Sequence, residues 1–305
     1  MERFSWSDIQ TAEVLEESRA ARFRPEWRAM LLRYFGLEPG MHVLEVGCGP
    51  GTVAPYLAAG IAPGTVTGLD LDRDFIARAR AKAASLGLEQ VRYVVGDAYA
   101  LPFADGTFDA VLSYTGIGVL TDPRQAVAEM VRVCRAGGPV SVAEAVAGRG
   151  GITFAGVDRL TGQATYPGAE RFWQLHDRLT AAHGGGAPGV GSARWPATAL
   201  WGLMAELGLE ELQLDAWGHV MAPDDGRLSA QARLAHRQLE HEQLTGWIDE
   251  LLDQQDAPGL DRAELLELRR LAATRWAWSR TNPLWDWEAS LSLVARGRRP
   301  LPDRG

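Results

Sequence analysis

The sequence lacks the features that specify a metalloprotein, a disulfide-stabilised domain or a membrane protein. It has two cysteines, Cys48 and Cys134, which lie far apart and belong to no CxxC motif or cysteine–histidine cluster. This pattern predicts neither a zinc site nor a disulfide scaffold. No apolar run has the length of a membrane span, and the start of the chain, MERFSWSDIQ, has no basic stretch followed by an apolar one. We therefore expect a cytoplasmic protein that holds no metal.

An excess of positive charge is also missing. The 305 residues carry a formal net charge of -8. A protein that holds a nucleic acid by its phosphates usually presents a basic face. The basic cluster at Arg296, Arg298 and Arg299 is typical of a solvated terminus. We expect no nucleic-acid partner, and the apolar fraction of 46% indicates a chain that folds into a globular core.

Strand-like and helix-like segments alternate from residue 41 onwards. Short apolar runs occur in MHVLEVGCG, TVTGLDLD, VRYVVGDA, FDAVLSYTG and PVSVAEAV, and helical patterns separate them. This alternation predicts an α/β fold with a parallel, doubly wound sheet. Outside these runs the periodicity predicts one or two helices over 8–35, further helices at about 169–182, 196–207, 227–256 and 260–280, and late strands at about 211–220 and 287–296. Pro25 is expected to begin the second N-terminal helix and Gly36 to end it.

The most informative motif is VLEVGCGPG, residues 43–51, at a strand-to-helix turn. Its glycines allow a tight turn and a close approach to a ligand. The spacing is GxGxG, whereas dinucleotide-binding loops have GxGxxG or GxGxxA. Glu45 would repel a pyrophosphate and suits a ligand that carries positive charge and no phosphate, such as S-adenosylmethionine. The alternative is a glycine-rich turn that binds no ligand.

Acidic residues follow the next two strands. Asp70 lies about 20 residues beyond the glycines, where a carboxylate accepts hydrogen bonds from ribose hydroxyls. Asp72 is the competing ribose ligand, although Asp72 and Asp74 also fit the N-cap of a helix before Phe75. Asp97, after the third strand, is placed to accept from an adenine amine, and the N–H of the next residue to donate to a ring nitrogen. Loops at the carboxyl ends of parallel strands converge on one crevice, which predicts a single ligand site.

Taken together, these segments resemble the class I S-adenosylmethionine-dependent methyltransferases, in particular the ubiquinone/menaquinone-biosynthesis type and its small-molecule relatives. The resemblance covers residues 41–145, and it departs at Arg135-Ala136-Gly137-Gly138, where the family has Arg-Pro-Gly-Gly. It implies a Rossmann-like, seven-stranded, mostly parallel sheet whose last strand is antiparallel. It also implies cofactor roles for eight residues: Glu45, Gly47, Gly49 and Gly51 at the methionine part, Asp70 at the ribose, Asp97 and Ala98 at the adenine, and Ser113 near the methionine end.

The resemblance also suggests a division of the chain into three parts. Residues 1–39 are expected to form an N-terminal helical cap segment and residues 40–147 the cofactor-binding core. Residues 148–305 are expected to complete the sheet and to supply further cap helices. Nine of the 11 tryptophans lie at or after Trp173. Indole rings there would line an apolar acceptor pocket or pack the added helices onto the core.

No fixed catalytic residue is expected, because methyl transfer depends mainly on holding two reactants close and aligned. A general base is needed where the acceptor must lose a proton. Four residues are candidates, each with a structural or surface role as the alternative: Tyr114, Glu144, His176 and His219. The segment SYTG after the fourth strand lacks the Asn/Asp-Pro-Pro-aromatic motif of many base methyltransferases, which favours a small-molecule acceptor.

Methyl transfer has two rival functions at this stage. One is an S-adenosylmethionine-binding enzyme that catalyses another reaction, and the other is a cofactor-binding module without turnover. A dehydrogenase is disfavoured by Glu45 and by the loop spacing. The acceptor, the methylated atom and the oligomeric state do not follow from the sequence.

Overall fold

The structure is a computed structural model, and it describes Ala12, Glu16, Arg19 and residues 22–145, 152–154, 166–182, 197–221, 230–254, 259–282 and 287–302. The chain divides into two compact units. An α/β unit comprises Met1–Ala145, Ala193–Trp217 and Ser292–Gly305. A second, helical unit comprises Val146–Ser192 and Gly218–Leu291. Late stretches of chain return to the first unit, and the division into a cap segment, a core and a C-terminal half stays a prediction.

The sheet has the predicted doubly wound topology. Five parallel strands come first: β1 (His42–Val46), β2 (Thr65–Asp70), β3 (Val91–Val95), β4 (Ala110–Tyr114) and β5 (Pro139–Ala145). The order is β3-β2-β1-β4-β5, followed by a last strand that is antiparallel to β5, as the resemblance implied. The carboxyl ends of the five parallel strands therefore meet at one edge, and β1 and β4 are neighbours there.

The late strands extend slightly beyond the predicted ranges. β7 (Glu210–Met221) pairs with β8 (Trp287–Arg298), the strand that lies antiparallel to β5. A short strand, β6 (Ile152–Phe154), pairs antiparallel with the beginning of β8 and brings the sheet to eight strands. The sequence did not predict β6, because the residues around it show no clear period.

Local signals account for the helix ends near the sheet. Pro25 begins a 3-10 turn that leads into α1 (Arg28–Phe35), and Gly36, with φ of 70°, ends that helix as predicted. Asp72 is the N-cap of α3 (Arg73–Ser85), and its carboxylate accepts from the backbone N–H groups of Asp74 and Phe75. Asp74 lies inside the helix and is not its cap. The other helices of this unit are α2 (Val53–Ile61), α4 (Pro123–Val133) and α6 (Ala197–Glu206).

Both faces of the sheet are covered. Along β1, Val43 packs into the cluster that contains Phe35 and Leu57, while Leu44 packs into the cluster that contains Met130 on the opposite face. This two-sided burial explains why β1 is apolar without strict alternation. It also fixes the strand from which the glycine loop emerges.

The helical unit contains α5 (Ala169–Ala182), α7 (Ala230–Asp253) and α8 (Arg262–Ser279), close to the predicted ranges. These helices share a core that includes Phe172, Trp247 and Leu268. α8 begins with a capping box, in which the Asp261 carboxylate accepts from the backbone N–H of Glu264 and the Glu264 carboxylate accepts from that of Asp261. Within the described helices, none combines the length and apolar character that a membrane crossing requires.

Candidate functional site

The glycine loop joins β1 to α2, and its glycines serve different purposes. Gly49 and Gly51 both have φ in the left-handed region, at 54° and 80°. A Cβ on Gly51 would lie 2.6 Å from the Cβ of Ala79 and from the Oη of Tyr93, so this glycine lets the loop pack on α3 and β3. A Cβ on Gly49 would meet nothing within 4 Å. Gly49 therefore faces the space in which a ligand would lie.

A small cleft opens beside this loop. Five of the residues predicted for the site line it: Glu45, Gly47, Gly49, Asp70 and Tyr114. They come from β1, β2 and β4 and from the loop after β1. Strand order and direction thus gather in one place residues that lie up to about 70 positions apart, as expected for an open α/β sheet.

Glu45 is the dominant buried acid of the cleft. Its side chain is 1% exposed, and its Oε2 has no hydrogen-bond partner within the described part of the chain. The pKa of Glu45 is raised to about 8, mainly by burial and also by the negative charge of Asp70, while Arg19 and the backbone N–H of Ala54 oppose the shift. A buried carboxylate oxygen without a partner is costly unless a ligand supplies a donor or a positive charge. The position therefore suits an ammonium group.

Asp70 connects the glycine loop to the end of β2. Its Oδ2 accepts from the Gly49 N–H at 2.8 Å, and its Oδ1 accepts from the Asp72 N–H at 3.0 Å. Burial raises the pKa of Asp70, and these backbone hydrogen bonds oppose the shift. Each oxygen has a second lone pair for a ribose hydroxyl. Asp70 lines the cleft whereas Asp72 caps α3, and the choice of Asp70 as the ribose ligand stays a prediction.

Ser113 and Tyr114 end β4 beside the cleft. The Ser113 hydroxyl is fully buried and has no hydrogen-bond partner among the described residues. The Tyr114 ring packs edge-on against Phe23 at 4.8 Å and stacks on Trp217 at 5.9 Å. Its Oη is also buried without a described hydrogen-bond partner. These contacts hold the ring in place while two hydroxyl groups remain available to a ligand.

The residues predicted for adenine lie outside the described lining of the cleft. Asp97 follows β3, and its Oδ1 accepts from the Tyr99 N–H at 2.9 Å. A bridge between Asp97 and Ala100 closes the turn around Ala98. The turn gives Asp97 a local structural role, and the adenine contacts of Asp97 and Ala98 stay predictions.

Glu144 lies at the end of β5 and is buried, but it is not part of the described lining. Its Oε1 accepts from the Gly118 N–H at 2.8 Å, which secures the loop after β4. Burial raises the pKa of Glu144 to about 7, while the hydrogen bonds from the N–H groups of Gly118 and Ile117 and the charge of Arg19 oppose the shift. This carboxyl positions a loop, whether or not it also exchanges a proton with an acceptor.

The two histidine candidates lie in elements other than those that line the cleft. His176 is in α5 of the helical unit, where its ring packs on Phe172 and Trp173 at centroid distances of 5.8 and 5.1 Å. Its Nδ1 lies 3.5 Å from the Asp177 Oδ1. His219 is in β7, and its side chain lies outside the described residues. Both catalytic roles stay predictions.

Among the lining residues that the sequence analysis did not predict, two contact each other through a hydrogen bond. Arg19, which is helical, donates from Nη2 to the Oγ1 of Thr115 at 3.0 Å, and both residues line the cleft. No motif marks either residue. The one available signal is the position of Thr115 directly after β4, in a segment that the resemblance places near the acceptor.

Comparison with known proteins agrees with this geometry. Residues 43–138 match a family model described as a methyltransferase domain. A demethylmenaquinone methyltransferase of Renibacterium salmoninarum is 36% identical over 135 residues, which are 44% of this chain and 52% of that protein. A phosphatidylethanolamine N-methyltransferase of Cereibacter sphaeroides is 42% identical over 104 residues, 34% of this chain and 50% of that protein. The chain thus spans about half the length of these curated relatives.

Solved structures support the fold over most of the chain. The YcgJ protein of Bacillus subtilis aligns with a TM-score of 0.52 at 17% identity, covering 92% of this chain and all of that one (100%). A Bacillus halodurans protein aligns with a TM-score of 0.51 at 20% identity, covering 90% of this chain and 99% of that one. At such identities the likeness concerns the fold. Residues 43–138 thus match a methyltransferase domain, and the chain has the Rossmann-like fold that the resemblance implied.

Proposed function

We propose that the chain is an S-adenosylmethionine-dependent methyltransferase that acts on a small-molecule acceptor. The observation that carries the proposal is the buried carboxylate of Glu45 beside the glycine loop, with one oxygen that lacks a hydrogen-bond partner among the described residues. A pyrophosphate would be repelled at this position, whereas a cationic ligand without phosphate completes it. The net charge of -8 further supports a small molecule over a nucleic acid as the acceptor.

The residues of the cleft fit the parts of this cofactor. Glu45 and Ser113 would hold the ammonium group, and Gly49 leaves room for the chain that joins it to the adenosine. Asp70 would accept from the ribose hydroxyls. The bound cofactor supplies an electrophilic methyl group on a sulfonium, and its thioether is the leaving group.

The chain's own contribution is to align the acceptor and to exclude water. The acceptor atom forms a bond to the methyl carbon while the carbon–sulfur bond breaks and its electron pair stays on sulfur. Of the four candidates for proton transfer, Tyr114 is the one whose hydroxyl both lines the cleft and lacks a described hydrogen-bond partner. We assign Tyr114 to contact with the reacting groups and Glu144 to positioning the loop after β4.

Calorimetric titration tests the cofactor assignment. Purified full-length protein should bind S-adenosylmethionine and S-adenosylhomocysteine and should not bind NADH. Glu45→Gln keeps the size of the side chain and removes its charge, so affinity for both adenosyl ligands should fall by about tenfold or more, the value of one charge-assisted hydrogen bond. Arg124→Gln is the control, because Arg124 pairs with Glu206 on the exposed surface.

Product analysis separates the rival functions. A methyltransferase releases S-adenosylhomocysteine with some member of an acceptor panel of phenols, enols, amines and carboxylic acids. Binding of S-adenosylmethionine with turnover of an acceptor but no S-adenosylhomocysteine would indicate a different reaction. Binding without any turnover would indicate a cofactor-binding module. Absence of adenosyl binding would contradict the proposal.

A further inference from the structure

We propose that Glu144 is a positioning residue whose carboxylate sets the affinity for S-adenosylmethionine through the β4 loop (residues 115–118). In its ionised form the carboxylate holds the β4 loop against the glycine loop, and in its protonated form it releases the β4 loop. The inference rests on the proposed function, because S-adenosylmethionine is the ligand whose affinity it concerns. A general base at this position would instead act on the acceptor and leave the affinity for the cofactor unchanged.

The first observation is the way in which Glu144 holds the backbone of the β4 loop. Glu144 is 3% exposed, its Oε1 accepts from the Gly118 N–H at 2.8 Å, and the Ile117 N–H supplies a second hydrogen bond. Successive backbone N–H groups that converge on one anion form a nest. Hydrogen bonds to an ionised carboxylate are about twice as strong as those between neutral groups. Protonation of Glu144 therefore weakens the attachment of the β4 loop.

The second observation is the direct contact between the β4 loop and the glycine loop. A Cβ on Gly116 would lie 3.5 Å from the carbonyl oxygen of Val46 and 3.6 Å from the Cα of Gly47, so the two backbones meet without a side chain between them. The same Cβ would lie 3.0 Å from the Ser113 Oγ, the hydroxyl that the proposed function places at the ammonium group. A shift of the β4 loop therefore changes the shape of the cofactor site at its methionine end.

The third observation is the strained backbone at the start of the β4 loop. Thr115 has φ of 54°, which is the left-handed region and is unusual for a β-branched residue. Such a conformation persists only where surrounding contacts hold it. The Thr115 N–H donates to the Ala143 carbonyl at 2.8 Å, and the Ile117 side chain is buried in the cluster that contains Val46. Loss of the contacts to Glu144 should therefore release the β4 loop locally, without unfolding the sheet.

The charges around Glu144 determine how its ionisation is measured. Burial raises the pKa of Glu144 to about 7, against the opposing effects of the two backbone N–H groups and of Arg19 in the N-terminal segment. Arg19 acts also on Glu45 and Tyr114, and its own pKa of about 10 keeps it charged at neutral pH. Glu45 ionises in a similar range, because its pKa is about 8. The titration of Glu144 is therefore isolated in a Glu45→Gln background.

A pH series of binding measurements tests the proposal on the full chain with S-adenosylhomocysteine as the probe. In Glu45→Gln the dissociation constant should rise about tenfold as the pH falls from 7.5 to 5.5, because the protonated form of Glu144 binds weakly. Adding Glu144→Gln should make this profile flat. Adding Glu206→Gln should leave the profile unchanged, since it makes the same substitution at an exposed carboxylate that pairs with Arg124. A flat profile in Glu45→Gln, or one that Glu144→Gln does not alter, would overturn the proposal.

Variants in an otherwise wild-type chain separate positioning from proton transfer. At pH 8, Glu144→Gln should weaken binding of S-adenosylhomocysteine about tenfold, because an amide N–H then faces a backbone N–H. Glu144→Asp keeps the charge and should recover part of the affinity. Gly116→Ala inserts a methyl group between the two loops, so it should weaken binding severalfold even if Glu144→Gln does not fold.

Two further outcomes distinguish this inference from the proposed function. Unchanged affinity for S-adenosylhomocysteine in Glu144→Gln, together with reduced turnover, would make Glu144 a general base and overturn the inference alone. Unchanged affinity in Gly116→Ala would show that the β4 loop does not govern the cofactor site, and would also overturn it. Wild-type protein that binds no adenosyl ligand contradicts both the inference and the proposed function.

Discussion

Two arginines, one in the α/β unit and one in the helical unit, lie in different environments. Arg275 in α8 is 8% exposed, lies over the rings of Phe172 and Trp173 at 5.6 Å each, and pairs with Glu240 at 3.3 Å. Arg19 instead lines a cleft and donates to a residue with a strained backbone. Arg19 thus borders the open space of the cleft, whereas the surroundings of Arg275 are those of core packing.

The largest expected effect on stability comes from substitutions in the glycine loop of the α/β unit. Gly51→Ala should lower the free energy of unfolding by about 3 kcal/mol, because a Cβ would overlap Ala79 and Tyr93 and the backbone is left-handed. Gly49→Ala should lower the free energy of unfolding by about 1 kcal/mol, from backbone strain alone. It should nevertheless weaken cofactor binding at least as strongly as Gly51→Ala does. Urea unfolding and calorimetric titration measure the two quantities. Equal destabilisation by both substitutions would contradict the division of roles within the loop.

A comparable effect is expected for the arginine of the helical unit. Arg275→Met should lower the free energy of unfolding by about 2 kcal/mol, because two cation–π contacts and an ion pair are lost. Arg19→Met should lower it by less, about 1 kcal/mol, because Arg19 is only partly buried.

Urea unfolding followed by tryptophan fluorescence compares these two variants. A larger loss of stability for Arg19→Met than for Arg275→Met would contradict the distinction between the two arginines.

The next effect concerns the pH dependence of the cleft. The pKa of Glu45 is raised from 4.5 to about 8, so at neutral pH the folded protein holds a proton that the unfolded chain has lost. Folding therefore takes up a proton at any pH between these two pKa values. Over that range the free energy of unfolding falls as pH rises, by at most about 1.4 kcal/mol per pH unit. Glu45→Gln should flatten this slope in melting curves recorded from pH 5 to 8.

Ligand binding reverses the proton uptake at the same residue. A cationic ligand favours ionised Glu45, so binding of S-adenosylmethionine at pH 7 should release close to one proton more in wild type than in Glu45→Gln. Titrations in two buffers of different ionisation enthalpy measure the difference. Identical proton release in the two proteins would argue against an ammonium group at Glu45.

The smallest effect distinguishes two buried tyrosine hydroxyls. The Tyr93 Oη donates to the Gly51 carbonyl at 3.3 Å, whereas the Tyr114 Oη has no described hydrogen-bond partner. Tyr93→Phe should cost about 1 kcal/mol of stability, and Tyr114→Phe should be neutral. Turnover should fall in Tyr114→Phe with the melting temperature unchanged. Loss of stability in Tyr114→Phe without loss of turnover would assign the hydroxyl to the core.

The sequence by itself determined the fold class and the cofactor end of the site. Alternating apolar runs specified the parallel strands and the helices between them, and the GxGxG spacing with Glu45 and Asp70 specified an acidic loop at the strand ends. These signals are local, because a glycine is required where the backbone turns sharply and an apolar run where a strand is covered on both faces. The resemblance extended the prediction to the last antiparallel strand.

The tertiary structure alone decided which side chains complete the cleft beside the glycine loop. Arg19 donates to Thr115, and Tyr114 packs between Phe23 and Trp217. These contacts, and the division of the chain into two units, join segments that are far apart in sequence. No local pattern encodes such contacts, because the sheet order and the attachment of Glu16 to α3 determine which side chains converge. The complete lining of the cleft therefore becomes visible only in the folded protein.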